Sequence, residues 1–117
     1  MILLEDRKDI LRNYNFRCFY FLDITNIVLQ KTPEDDVFQA LSRVVGPCAI
    51  HLGVELGLSM AAIEGIIFMH PKNSYDQTTG VLKEWKSTSK DKTILMLMNA
   101  FQLADERGVT FLRKQYG

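Results

Sequence analysis

The sequence predicts an all-α protein: a six-helix antiparallel bundle preceded by an extra N-terminal segment. Three observations lead there. From residue 33 onward apolar residues recur at three- and four-residue steps. Capping residues, glycines and prolines break that spacing at short intervals. No stretch of this region alternates with the two-residue period of a strand.

The elements follow in chain order. Residues 1–32 are an N-terminal extension, expected to be partly helical. Ile2, Leu3, Leu4, Ile10 and Leu11 suggest a short helix with a charged face, and aromatics crowd Phe16 to Phe21. Leu22 to Gln30 reads as a helix capped by Asp23 or Thr25, while Phe19 to Leu22 reads equally well as strand. Either must pack on the domain that follows or on one that precedes it. The helical domain spans 33–117. Thr32-Pro33-Glu34-Asp35-Asp36 opens its first helix, with Thr32 as cap, Pro33 at the first helical position and acids at the positive end of the dipole. Val37, Leu41, Val44 and Val45 form its stripe, and Gly46-Pro47 ends it.

The stretch from Gly46 to Ser59 organises the rest. Leu52 and Leu56 share a helix face with the small residues Ala49 and Gly53, which let a neighbouring helix come close. Gly57 suits a left-handed stop, and Ser59 caps the next helix, Met60 to Met69, with Ile63, Ile66 and Ile67 at helical spacing. After a turn at His70 to Ser74, with Ser74 as cap, a helix from Tyr75 to about Lys86 turns Thr78, Val81, Leu82 and Trp85 inward. Thr93 caps a long helix, Ile94 to about Glu106, with a stripe of Leu97, Ala100, Phe101 and Ala104. Gly108 is expected to stop it, before a last helix from Val109 to Tyr116 with Phe111 and Leu112 facing in. The expected core is Leu41, Leu52, Leu56, Ile63, Ile66, Leu82, Trp85, Leu97 and Phe101. Tyr75, Met96 and Met98 are either exposed apolar residues or, more commonly for such positions, core.

Bulk properties narrow the functional classes. The 117 residues suit one domain, and a 47% hydrophobic content suits a packed one. Lysine plus arginine equals aspartate plus glutamate, 14 each, so no long-range pull toward nucleic acid or anionic lipid is expected. Cys18 and Cys48 do not make a disulfide framework and read as free thiols in a reducing, cytoplasmic setting. No apolar run is long enough for a membrane span, and the N-terminus turns charged too early for a signal peptide.

The six-helix pattern resembles the death domain. The family's second helix typically reads W-x-x-L-A-x-x-L-G-L-S, which this chain meets at Leu52, Leu56, Gly57, Leu58 and Ser59, continuing with Ile63 and Ile66. Gln77, Leu82 and Trp85 stand where the fourth helix reads Q-x-x-x-x-L-x-x-W. Thr93, Leu97, Ala100 and Phe101 stand where the fifth reads T-x-x-x-L-x-x-A-L. The resemblance spans about residues 33–117. It departs at Ala49, where the family has tryptophan, and at Gly53, where it has alanine; N-terminal aromatics such as Phe19 or Phe21 are expected to replace the missing indole. Residues 103–112 lack the signature of the related death-effector module.

The resemblance implies a non-enzymatic docking module for other death-domain proteins, or for copies of itself, in apoptotic or inflammatory signalling. It implies three charged patches: Asp35, Asp36, Lys83 and Lys86; Glu55 and Glu64; and Lys72, Lys90, Asp91 and Lys92. Exposed ion pairs are individually weak, so specificity would come from several at once. No cofactor, metal, membrane insertion or small-molecule substrate is expected. Cys48 and His51 are three apart but have no Asn, Asp or Gln placed to orient the histidine, and His51 and His70 with the two cysteines match no closed zinc spacing. Two alternatives stand beside this reading. Leu52 to Ile67 also fits a helix–turn–helix DNA-binding unit, although its second helix carries Met60, Ala61, Ala62, Glu64 and Gly65 rather than base-reading side chains. A structural death-like domain packed against a neighbouring domain is the other.

Overall fold

The computed structural model describes residues 24–117, and every regular element among them is a helix. There are seven: α1 (Asn26–Leu29), α2 (Asp35–Val44), α3 (Ala49–Glu55), α4 (Met60–Met69), α5 (Ser74–Thr88), α6 (Ile94–Ala104) and α7 (Glu106–Tyr116). The expectations placed on residues 1–23, including the aromatic cluster around Phe19 and Phe21, lie outside the described residues. Helix α5 is the central element, with α2, α3 and α4 all packing on it. Helix α3 also meets α4 and α6, α7 packs on α6 and α2, and α1 rests on α6.

Local chemistry accounts for most boundaries. The Thr25 hydroxyl accepts from Val28 N to start α1, Ser59 accepts from Ala62 N at α4, and Thr93 accepts from Met96 N at α6. The α3 stop is a Schellman turn. Leu58 N donates to Gly53 O and Gly57 N donates to Val54 O, each at 3.0 Å, with Gly57 at φ 85°. A side chain at that φ would press Cβ on the carbonyl that follows.

Four local expectations are corrected. Helix α2 begins at Asp35 with Glu34 as the N-terminal flanking residue and no side-chain cap; Thr32 is exposed, and Pro33 is buried rather than opening the helix. Asn73, not Ser74, caps α5: its Oδ1 accepts from Asp76 N at 3.0 Å while its Nδ2 donates to Asp76 Oδ2 at 2.9 Å. Val44 is exposed, and Phe38, one turn from Leu41, is fully buried instead. Gly108 does not stop α6. Asp105 does, in extended backbone, and Gly108 lies inside α7. There a Cβ would drive into the Phe101 ring, so glycine serves the close approach of α7 to α6.

The core runs through all of these helices. Phe38, Leu41, Leu52, Val81, Leu82, Trp85, Ile94, Leu97, Met98, Phe101 and Leu112 belong to one buried cluster. Of the expected core, only Ile66 is half-buried; Tyr75 and Met96 are also half-buried, and Met98 is fully enclosed. Gly53 lets Ile63 settle on α3, where a Cβ would come within 2.8 Å of its side chain. Ile24 and Leu29 join the same cluster, and Ile94 N donates to Lys31 O at 2.8 Å, tying the approach to α2 onto α6. The α2–α5 seam holds a buried polar link: Thr79 Oγ1 donates to Ser42 Oγ at 2.8 Å, and Ser42 Oγ donates to Phe38 O at 2.9 Å. Beside it the Phe38 and Trp85 rings meet at 6.3 Å and 59°.

Two substitutions test this packing. Trp85→Ala removes the largest enclosed side chain and is expected to cost about 3–5 kcal/mol in denaturant unfolding; an unchanged midpoint would remove Trp85 from the core. Gly108→Ala should destabilise by about 1–3 kcal/mol despite alanine's better helix propensity. In a double-mutant cycle Phe101→Leu should relieve part of that loss, and strict additivity would show that the ring is not what the new methyl meets.

Candidate functional site

The sequence-predicted charged residues separate into groups once the helices are placed. Asp35 opens α2, and Lys83 and Lys86 are three apart on α5, so the α2–α5 seam brings all three to the surface together. Lys86 Nζ donates to Asp35 Oδ1 at 2.9 Å. That hydrogen bond, then the Lys86 charge and to a lesser degree Lys83, holds the Asp35 carboxyl below its ordinary pKa. The Lys86 ammonium also sits 5.6 Å from the centre of the Phe38 ring. Asp35, Lys83, Lys86 and Ser87 line an open cleft of about 360 Å³. Asp36 is exposed in the same first turn and does not line it. Its charge acts instead on Tyr116, whose hydroxyl donates to Glu34 Oε1 at 3.2 Å; burial first, then Glu34, raise the Tyr116 pKa.

The second expected patch is divided between two helices. Glu55 lies 3.3 Å from His51 Nε2, one turn back on α3, whereas Glu64 projects from α4. The third is not brought together. Lys72 precedes α5, with φ 58°, and Lys90, Asp91 and Lys92 follow it. A helix of 15 residues separates them, a length of about 22 Å. Lys92 is partly engaged, its Nζ donating to Lys86 O at 2.9 Å at the carbonyl end of α5.

Cys48 flanks the start of α3 and shares a cleft of about 450 Å³ with Pro47, Ala49, Ile50, His51 and Gln77. Burial first and the Asp105 carboxylate second push its thiol up to about 11, so at neutral pH it is protonated and a poor nucleophile. Among the described residues no three His, Cys, Asp or Glu side chains converge as a metal site, and no helix is long and apolar enough to cross a membrane.

Sequence reasoning missed Asp105. Its Oδ2 accepts from Gly46 N at 2.9 Å and Arg107 Nη2 at 2.7 Å, and its Oδ1 accepts from Arg107 N at 3.0 Å and Arg107 Nε at 2.9 Å. One carboxylate thus caps α7 and clamps the α6–α7 junction to the α2–α3 connection. The only sequence signal was an aspartate two residues before an arginine. It could not reveal Gly46, 59 positions away. No protein-family model and no curated protein matches this chain.

The clamp predicts a pH dependence. Hydrogen bonds from Arg107 lead the causes that lower the Asp105 pKa to about 2, against about 3.9 for an unfolded chain. A depressed carboxyl contributes stability that is complete above the unfolded value and is lost as pH falls toward the folded one. Asp105→Asn should therefore lower the melting temperature at pH 7, and its deficit against wild type should close between about pH 4 and pH 2. A deficit constant from pH 7 to 2 would rule out the charged clamp.

Proposed function

We propose that this chain is a non-enzymatic docking module that joins protein partners through the Asp35–Lys83–Lys86 face, in the manner of a death domain. The supporting observation is the placement of both signs of charge around one cleft on the α2–α5 seam, anchored by the 2.9 Å Lys86–Asp35 pair. A rigid face with both signs can meet a like face offset against it, which suits homotypic docking with death-domain proteins in apoptotic or inflammatory signalling. Support for this reading comes from the six helices from Asp35 onward, the left-handed Gly57 turn and the enclosed Trp85. The raised Cys48 pKa weighs against a thiol nucleophile. The helix–turn–helix alternative loses ground because the outer side of α4 carries Glu64 and no basic residue, whereas phosphate neutralisation needs cations.

Light scattering over a concentration series tests the reading. Wild type is expected to form concentration-dependent assemblies that dissolve in high salt. Lys83→Glu with Lys86→Glu should abolish them while helicity is retained, because exposed ion pairs contribute little to folding. Pairing Asp35→Lys with Lys86→Glu should restore the seam pair with reversed polarity. Assembly that survives the charge reversal, or a strict monomer at every concentration and salt, would overturn homotypic docking through this face.

A further inference from the structure

We propose that the outward face of α4 docks an amphipathic helix of a partner protein, one that presents a lysine or arginine among its apolar residues. Helix α4 is apolar on both sides. Ile63 is fully buried and Ile66 and Ile67 pack partly on the core, but residues 60, 61, 64, 65 and 68 form an exposed stripe at helical spacing. Phe68 is 82% exposed, Met69 70% and Met60 50%. An apolar surface of that kind on a small domain marks a place of interaction, and methionines adapt to a partner's shape.

Gly65 is the second observation. Gly53, Gly80 and Gly108 each answer a close approach within the chain, since a Cβ would press on Ile63, Ile66 or Phe101. At Gly65 nothing lies within 4 Å of that position. A helix-interior glycine weakens the helix relative to alanine, and here no internal contact compensates. Beside Ala61, one turn away, it leaves a notch that admits another helix backbone closely.

Charge selects the occupant. Glu64 is the sole charged residue of α4, and its carboxylate makes no hydrogen bond or ion pair among the described residues. A partner with an ammonium or guanidinium at that point pairs with it. A second copy crossing two-fold at the middle of α4 would set one Glu64 against another, which is unfavourable. This surface is separate from the Asp35–Lys83–Lys86 face.

Fluorescence anisotropy with the full chain tests it, using two labelled helical peptides of equal length and identical leucine faces, one bearing lysines and the other glutamates. Wild type should bind the lysine peptide at least tenfold tighter, Glu64→Lys should reverse that preference, and Phe68→Ser should weaken binding at least tenfold. Gly65→Leu should raise the melting temperature yet weaken binding, a split that simple misfolding cannot produce. Lys83→Glu with Lys86→Glu should bind like wild type, so failure here is distinguishable from failure of homotypic docking. Equal binding of both peptides, or insensitivity to Glu64→Lys and Phe68→Ser, overturns the proposal. So does self-association lost in Phe68→Ser, which would give this face to a second copy.

Discussion

One face of α5 sets the arrangement of its neighbours. Thr78, Val81, Leu82 and Trp85 recur along it at three- and four-residue steps, all buried, and α2 and α3 pack there, while α4 reaches the helix on its Gly80 side. Burying that face contributes to the driving force, because enclosed apolar area is worth roughly 25 cal/mol per Å². The cost is borne locally: Trp85 Nε1 and Thr78 Oγ1 are enclosed without hydrogen-bond partners among the described residues. The Ser42–Thr79 hydroxyl link then helps set how α2 lies on α5, since sliding the helices would take the acceptor from the buried Thr79 hydroxyl while Ser42 kept its bond to Phe38 O.

The same seam reaches the surface with its geometry intact. Phe38 and Trp85 meet inside it, and Lys86, one residue after Trp85, spans from above the Phe38 ring to Asp35 at the start of α2. A charged face built on two packed helices keeps its spacing without being rebuilt on binding. The Asp105 clamp does comparable work at the other junctions. It gathers the α6–α7 turn and the loop before α3 on one carboxylate, while Gly108 lets α7 close against Phe101. By contrast, among the described residues α4 packs chiefly on two neighbours and leaves Met60, Phe68 and Met69 exposed. The two candidate surfaces therefore differ in physics: a polar seam that presents both signs, and an apolar helix face with one carboxylate.

The sequence by itself determined whatever depends on a few neighbouring residues. The caps at Ser59 and Thr93, the left-handed turn at Gly57 and the inward stripe of α5 were legible because capping, φ preference and helical periodicity act within one or two turns. Of the candidate site, the residue types were legible and the grouping of Asp35 with Lys83 and Lys86 was inferred only by analogy. Tertiary structure decided the rest. It placed Lys72 and Lys90 at opposite ends of α5, made Gly108 a packing notch rather than a stop, and buried Phe38 where Val44 was expected. It also left Met60, Phe68 and Met69 of α4 exposed. Periodicity could assign Ile63 and Ile66 to the core, but whether the other apolar side of α4 is covered depends on helices arriving from distant parts of the chain.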